Sequence, residues 1–262
     1  MELRDVRRLN GTTITPYRIL GATPGTHLGL PSPTTTLVID LGTGLVLSTR
    51  ESEPRTFRVS VGGMHLAPVT VHHDGTQVGV FLSLSPGAVR ALFGVRPGDV
   101  CAQNFELADM APRLARRLYD ELGAVAPDRR GDVCARVIDE RLGAAGTPPA
   151  DPDAQRAWQL LGAARGRLTV SRLVELSGWS ARKLTALFTA EYGVGPKQAA
   201  RLFRFDHARR RLDAGEPIAE IATACGYSDQ AHLTREFTAF TGLPPRSLLT
   251  ARANEFAGAA AP

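Results

Sequence analysis

Across 262 residues there are only three cysteines, Cys101, Cys134 and Cys225, odd in number and far apart. That excludes a disulfide framework and suits a reducing compartment. No apolar run approaches the ~18 to 20 residues needed to cross a bilayer. The charged start MELRDVRRLN lacks the apolar core of a signal peptide behind it, so a cytoplasmic protein is expected and secretion is not. Nucleophile elbows, phosphate-cradling Walker loops and zinc-type CxxC pairs are also missing. The Gly42-Thr43-Gly44 triplet lacks the third glycine of a dinucleotide fingerprint and reads as a turn. These absences leave no enzyme class with a sequence signature, and no cofactor is expected.

What is present is a chain with 43% hydrophobic and 22% charged residues, the balance of a soluble globular protein. Its charge is uneven. Residues 1–150 hold 16 Arg and Lys against 15 Asp and Glu, whereas residues 156–252 hold 15 against 8. A basic excess of seven on the C-terminal part points to a polyanion partner, although such surfaces also serve solubility.

The first hundred residues are β-rich. Segments 34–42, 45–51, 56–73 and 76–86 are full of Val, Thr, Leu and Phe and predict a mostly antiparallel structure. Gly42-Thr43-Gly44 and Asp74-Gly75 predict hairpin turns between them. After Pro86 the period changes to helical, predicting helices over 85–94, 106–123 and 130–143. GAAGTPPADPD, 143–153, breaks the pattern and predicts a linker between a domain of residues 1–150 and one of 151–262. Seven helical segments follow, to about residue 250.

Those helices contain a repeat. LTALFTAEYGVGP, 184–196, and LTREFTAFTGLPP, 233–245, share Leu, Thr, Phe, Thr, Ala, Gly and Pro, while VSRLVELSGWS and IAEIATACGYS precede them in one pattern. Each unit is a short apolar helix, a turn of Gly, aromatic and Ser, and an amphipathic helix. That order is a helix-turn-helix. In the second unit Leu233, Phe237 and Phe240 share a buried stripe at ~100° per residue. Ala231, Thr234, Arg235 and Thr238 then face outward, with His232 at the edge, Gln230 in the first turn and Ser228 as the expected N-cap. The matching outward residues of the first unit are Arg182, Lys183, Thr185, Ala186 and Thr189. Gln, His, Thr and Arg reach base edges or phosphates, and Arg is the commonest reader of guanine. Between the units, a helix over 196–214 would span roughly 28 Å, suited to holding both recognition helices on one DNA face, where major grooves recur about every 34 Å. Its Arg201, Arg204, Arg209, Arg210 and Arg211 offer phosphate contacts or simply a solvated basic face.

Residues 155–251, and IAEIATACGYSDQAHLTREFTAFTGLPPRSL above all, resemble the tandem helix-turn-helix domain of the AraC/XylS family of transcriptional regulators. The resemblance implies an α+β chain: a β-rich, often cupin-like sensing domain with trailing dimerising helices, then an all-α seven-helix domain with two helix-turn-helix units. It implies double-stranded DNA as partner, with Arg182, Lys183 and Thr185 in the first unit and Gln230, Ala231, His232, Thr234 and Arg235 in the second as the DNA-binding residues. Ala186 stands where many members carry a long reading residue, so the second unit is expected to carry substantial specificity. A homodimer formed through residues 106–142, a small-molecule effector, RNA polymerase contact and activation of transcription are further implications, and no catalytic residue is.

Three further features invite other readings. His65, His72 and His73 invite a metal, but HHDG lacks the His-x-His with a following Glu of a cupin centre, so a hairpin-end cluster is expected and no metal. Phe57, Phe81 and Phe93 are candidates to line an effector pocket, against the plainer reading as core. Cys225 reads as core packing. Two readings remain beside an effector-responsive regulator: a DNA-targeted repair enzyme using an N-terminal cysteine, and a regulator whose β half serves assembly alone.

Overall fold

The computed structural model describes residues 2–3, 6–144, 146 and 150–254. Eleven strands are present among them: β1 Glu2–Leu3, β2 Arg7–Leu9, β3 Thr12–Ile19, β4 Gly25–Gly29, β5 Thr35–Asp40, β6 Leu45–Thr49, β7 Ser52–Phe57, β8 Val59–Gly62, β9 Val69–His73, β10 Gln77–Leu84 and β11 Asn104–Glu106. They form two antiparallel sheets. The larger runs β1-β3-β10-β5-β8-β11, with β2 also on β3, and the smaller runs β4-β9-β6-β7.

Alternation sorts the faces. Val80, Leu82 and Leu84 of β10 point into one core with Leu37 and Ile39 of β5, covered by α1 Pro86–Phe93, α2 Pro112–Gly123 and α3 Arg130–Ala144. The opposite face of β5 carries Val38, which packs on Leu45, Leu47, Phe57, Val69 and Val71 of the small sheet. Each sheet therefore buries an apolar face at the period of two that a strand imposes.

Several expectations change here. The turns at Gly42-Thr43-Gly44 and Asp74-Gly75 are not hairpins. β5 pairs with β10 and β8 while β6 pairs with β7 and β9, so the first turn carries the chain from one sheet to the other, and the second does the same between β9 and β10. The Asp40 carboxylate accepts the backbone N–H of Gly42 and of Gly44, both at 2.9 Å, which ties the first crossing to the end of β5. The helix expected from residue 106 begins only at Pro112. Residues 104–106 are the edge strand β11, Leu107–Asp109 is a 3-10 turn, and the residue before proline is held out of the helical region, with Ala111 at φ −137° and ψ 67°. The segment 56–73 divides into three strands or strand ends. Of the expected linker 143–153, residues 145 and 147–149 lie outside the described residues.

Phe57, Phe81 and Phe93 are not brought together. Phe57 lies in the core of the small sheet, Phe93 ends α1 and packs into the larger core, and Phe81 is 37% exposed, in register with Val38 and Thr15. The three histidines likewise part. His65 Nε2 lies 3.2 Å from Asn104 Oδ1, and His72 Nε2 lies 2.8 Å from Ser48 Oγ. Among the described residues no three His, Cys, Asp or Glu side chains gather as a metal-binding set, and no helix is long and apolar enough to cross a membrane.

His27 of β4 sits with its ring centroid 5.7 Å from that of His73. Burial first, and the neighbouring His73 second, push its pKa down to about 4. The unfolded ring takes a proton near pH 6.5 that the folded ring refuses. The unfolded state therefore binds more protons between those values, and stability is full above pH 6.5 and lost as pH falls toward 4. Urea midpoints should drop over that interval in the native chain, and the drop should shrink in His27→Gln.

Candidate nucleic-acid interface

Seven helices occupy the described residues from 150 onward: α4 Pro152–Ala163, α5 Val170–Ser177, α6 Ala181–Tyr192, α7 Pro196–Asp213, α8 Ile218–Ala224, α9 Gln230–Thr241 and α10 Pro245–Asn254. The pairs α5–α6 and α8–α9 are the two copies of the repeat. Their turns use Gly178 and Gly226 at φ +69° and +75°, a conformation that glycine adopts without steric cost. Leu184, Phe188 and Tyr192 fix the inner face of α6 against Trp158 of α4, and Leu233, Phe237 and Phe240 fix that of α9 against Phe205 of α7.

That burial leaves the opposite faces outward. Arg182, Lys183 and Thr185 are exposed on α6, together with Ala186; Gln230, Ala231 and Arg235 are exposed on α9, where His232 and Thr234 are half-buried. Arg182 lies in the first turn of α6 and Gln230 opens α9, at ends where free backbone N–H groups favour anions. The Thr234 hydroxyl donates to the Gln230 carbonyl at 2.9 Å, so its proton is engaged within the helix.

A shared device emerges that the sequence reading missed. In the first unit the Lys183 ammonium lies over the ring of Trp179. At the equivalent place in the second unit the His232 ring meets Tyr227 edge-on, centroids 5.2 Å apart. Each turn aromatic is thus a platform for the third residue of its recognition helix. The signal was available, because the aromatic recurs directly after glycine in both copies. The Ser228 N–H points at His232 Nδ1, 3.4 Å away. A backbone N–H can only donate, so Nδ1 accepts and the neutral ring keeps its proton on Nε2.

Ser228 is not the N-cap. That role falls to Asp229, whose Oδ1 accepts the His232 N–H at 2.6 Å. This backbone bond, first among its causes, holds the Asp229 carboxyl below its usual range. In the first unit Ser180 caps as its position suggests, accepting from Lys183 N–H at 3.3 Å.

The arginines of α7 are engaged within the domain, although Arg210 stays solvated. Arg201 grips Glu236 of α9 through Nε and Nη2 at 2.9 to 3.1 Å. Arg209 bridges Asp206 and Asp213, Arg210 pairs with Asp206, and Arg211 pairs with Glu216. Arg204 lies over the Tyr227 ring, 5.3 Å from its centroid. These cations bind α7 to its neighbours and to itself.

The cysteines suit packing rather than chemistry. Cys134 and Cys225 are fully buried, and Cys101 is half-buried with its thiol donating to the Met64 carbonyl at 3.2 Å. Burial raises all three thiols, Cys134 to about 12. A nucleophilic thiol needs the opposite shift.

Removing the α9 cap should separate the two serine and aspartate assignments. Asp229→Ala is expected to cost about 1 kcal/mol of stability, the usual value of an N-cap, and Ser228→Ala less, measured by urea unfolding.

Residues 173–251 match the family model described as a helix-turn-helix domain. Among curated relatives, the uncharacterized HTH-type transcriptional regulator YobQ of Bacillus subtilis (strain 168) is 30% identical over 81 residues, 30% of this chain and 34% of that protein. The HTH-type transcriptional regulator GlxA of Rhizobium meliloti (strain 1021) is 32% identical over 146 residues, 49% of this chain and 45% of that one. The chain thus spans less than half the length of either relative. Among solved structures, unsaturated fatty acid bound ToxT from Vibrio cholerae strain SCE256 superposes with a TM-score of 0.56 at 12% identity, covering 99% of this chain and 100% of that one. At that identity the likeness concerns the fold: a β-rich first part followed by helices. The paired α5–α6 and α8–α9 units, their shared framework and the matched segment make residues 173–251 a helix-turn-helix domain of the AraC type.

Proposed function

We propose that this chain is a cytoplasmic, sequence-specific DNA-binding regulator of transcription, not an enzyme, built as a sensing and dimerising domain of residues 1–150 and a DNA-binding domain of residues 151–262. The observation that carries this reading is the pair of recognition helices whose inner faces are locked by Leu and Phe while Arg182, Lys183, Thr185, Gln230 and Arg235 remain outward. α7, 18 residues long, extends about 27 Å at ~1.5 Å per residue and supports placing α6 and α9 in successive major grooves of one duplex face. Arg182 and Arg235 are the strongest base readers by chemistry. His232 adds an Nε2–H donor suited to purine N7 or guanine O6, and Lys183, Thr185, Gln230, Ala231 and Thr234 complete the contact surface. The desolvated thiols weigh against the repair-enzyme reading.

Activity in this reading responds to a small molecule bound by the two-sheet half, and the chain acts as a homodimer that activates transcription through contact with RNA polymerase. The exposed Phe81, on a strand whose other face is fully packed, offers apolar surface to such an effector. ToxT has been crystallised with an unsaturated fatty acid, which makes that class the first to screen. A ligand that raises the melting point in the native chain but not in Phe81→Ala supports the assignment; no shift across saturating fatty acids opposes it and favours the assembly reading.

Selection from a random duplex library tests the central proposal directly. The full-length chain should enrich a defined sequence, and failure to enrich any would end the DNA-reading proposal. On the enriched duplex Arg235→Ala should lose ~1 to 3 kcal/mol of binding free energy, with a much smaller loss on random duplex. Equal losses on both would assign Arg235 to phosphate contact alone.

A further inference from the structure

The β-rich half is seated on the C-terminal ends of the two recognition helices. Its firmest attachment is an ion pair between residues 101 positions apart. Arg90 of α1 donates from Nε to Glu191 Oε1 at 2.7 Å and from Nη2 to Glu191 Oε2, and the two side chains are only 8% and 5% exposed. Glu191 lies in the last turn of α6. Around the pair the two halves approach at backbone distance. A side-chain carbon on Gly98, in the 3-10 turn Pro97–Val100, would fall 2.7 Å from Gly193 N, and one on Gly193 would fall 2.4 Å from Cys101 Cβ. Met64 completes the core of the first helix-turn-helix unit. The second unit is touched more lightly, by Leu30 and Leu66 at the margin of its core.

A buried ion pair contributes little net stability compared with apolar packing, yet removing one partner leaves the other charge desolvated. Any shift of the seam that parts Arg90 from Glu191 carries that penalty twice, so the pair favours one docked position over its neighbours. The attachment also runs straight back to the sheet. β10 enters α1 with only Ser85 between them, and α1 is anchored by Ala88, Val89, Leu92 and Phe93 in the core that Val80, Leu82 and Leu84 supply from β10. Phe81 lies on the other face of that strand. Meanwhile Arg182, Lys183 and Thr185, toward the N-terminal end of α6, stay exposed in the docked state, so the seam holds the reading helix without covering its reading face.

We propose that Arg90 and Glu191 are a positioning pair that sets the first recognition helix against the β-rich half and transmits changes in β10 and α1 to DNA reading by α6. The assignment rests on the DNA-binding reading above. Each charge is worth more as one of a pair than alone, and the pair links two bodies that have no other buried ion pair among the described residues.

The test uses the full-length chain and the duplex enriched by the native protein, with Arg90→Gln, Glu191→Gln and the double variant. The double variant leaves no orphan charge, so its melting point should lie nearer the native value than either single variant's. Its affinity for the enriched duplex should nonetheless fall roughly 2- to 30-fold, the range expected for loss of coupling between sites, with random-duplex affinity little changed. Hydrogen exchange at 98–101 and 190–193 should respond to duplex in the native chain and not in the double variant. Native affinity and discrimination in a folded double variant, or an exchange pattern at the seam that duplex does not alter in the native chain, would overturn the positioning role. A native chain that enriches no sequence would instead remove the DNA-binding reading and this proposal together.

Discussion

The burial of α7 along both of its ends is the constraint on which the helical half depends. Its N-terminal stretch gives Ala199 and Ala200 to the core of the first helix-turn-helix unit, and its C-terminal stretch gives Leu202, Phe205, Ala208 and Leu212 to the core of the second. One rigid element therefore belongs to two cores. Neither unit can rotate about α7 without tearing its own Leu and Phe contacts, at a cost of several kcal/mol for each large side chain exposed or left facing a void. Spacing and relative orientation of α6 and α9 thus follow from side-chain packing, and the outward residues are aimed by what is buried beneath them.

Charge has a different place here than net counts suggest. The basic excess of residues 156–252 looked like a footprint for a polyanion, yet Arg201, Arg209, Arg210 and Arg211 face Glu236, Asp206, Asp213 and Glu216 within the domain. Arg201 additionally lies over Phe240, 5.3 Å from its ring centroid, so the guanidinium both pairs with α9 and covers its aromatic base. The recognition faces keep Arg182, Lys183 and Arg235 exposed. A few exposed cations on two helix faces give orientation and selectivity, where a uniform basic surface would give mainly salt-dependent affinity.

The legible part of this fold was the part with local rules. Seven C-terminal helices, their capping glycines and the inner stripe of Leu233, Phe237 and Phe240 follow from a period of 3.6 and a visible repeat. The strands between residues 34 and 86 were legible because Val, Thr, Leu and Phe recur there, whereas β1 to β4 were not picked out, and no strand's partner was legible. Gly42-Thr43-Gly44 has the composition of a hairpin turn whether the next strand folds back on its neighbour or crosses to another sheet, and only the pairing of β5 with β10 decides it. Asp229 took the cap from Ser228 because both are good acceptors one residue apart, a choice below the resolution of sequence pattern. Arg90 and Glu191 carried no signal, since nothing local marks two residues 101 positions apart as one buried pair.

The two recognition helices, alike in framework, are held by different agents. α9 is braced by its own domain, through Glu236 to Arg201 and through Phe240 to Phe205. α6 carries Leu187 where α9 carries Glu236 and so lacks that brace; its charged tether is Glu191, one turn further along, and it leads out of the domain to Arg90. The same inequality appears on the outward side, where Ala186 leaves the first helix with a shorter reading surface than Arg235 gives the second. In the proposed reading, the helix that carries Arg235 and is braced internally supplies constant specificity. α6 is also packed on its own domain through Leu184, Phe188 and Tyr192, so any adjustment through Arg90 is confined to displacements that keep those contacts. On the same proposed reading, the asymmetry of the repeat assigns recognition mainly to the second unit and its adjustment to the first.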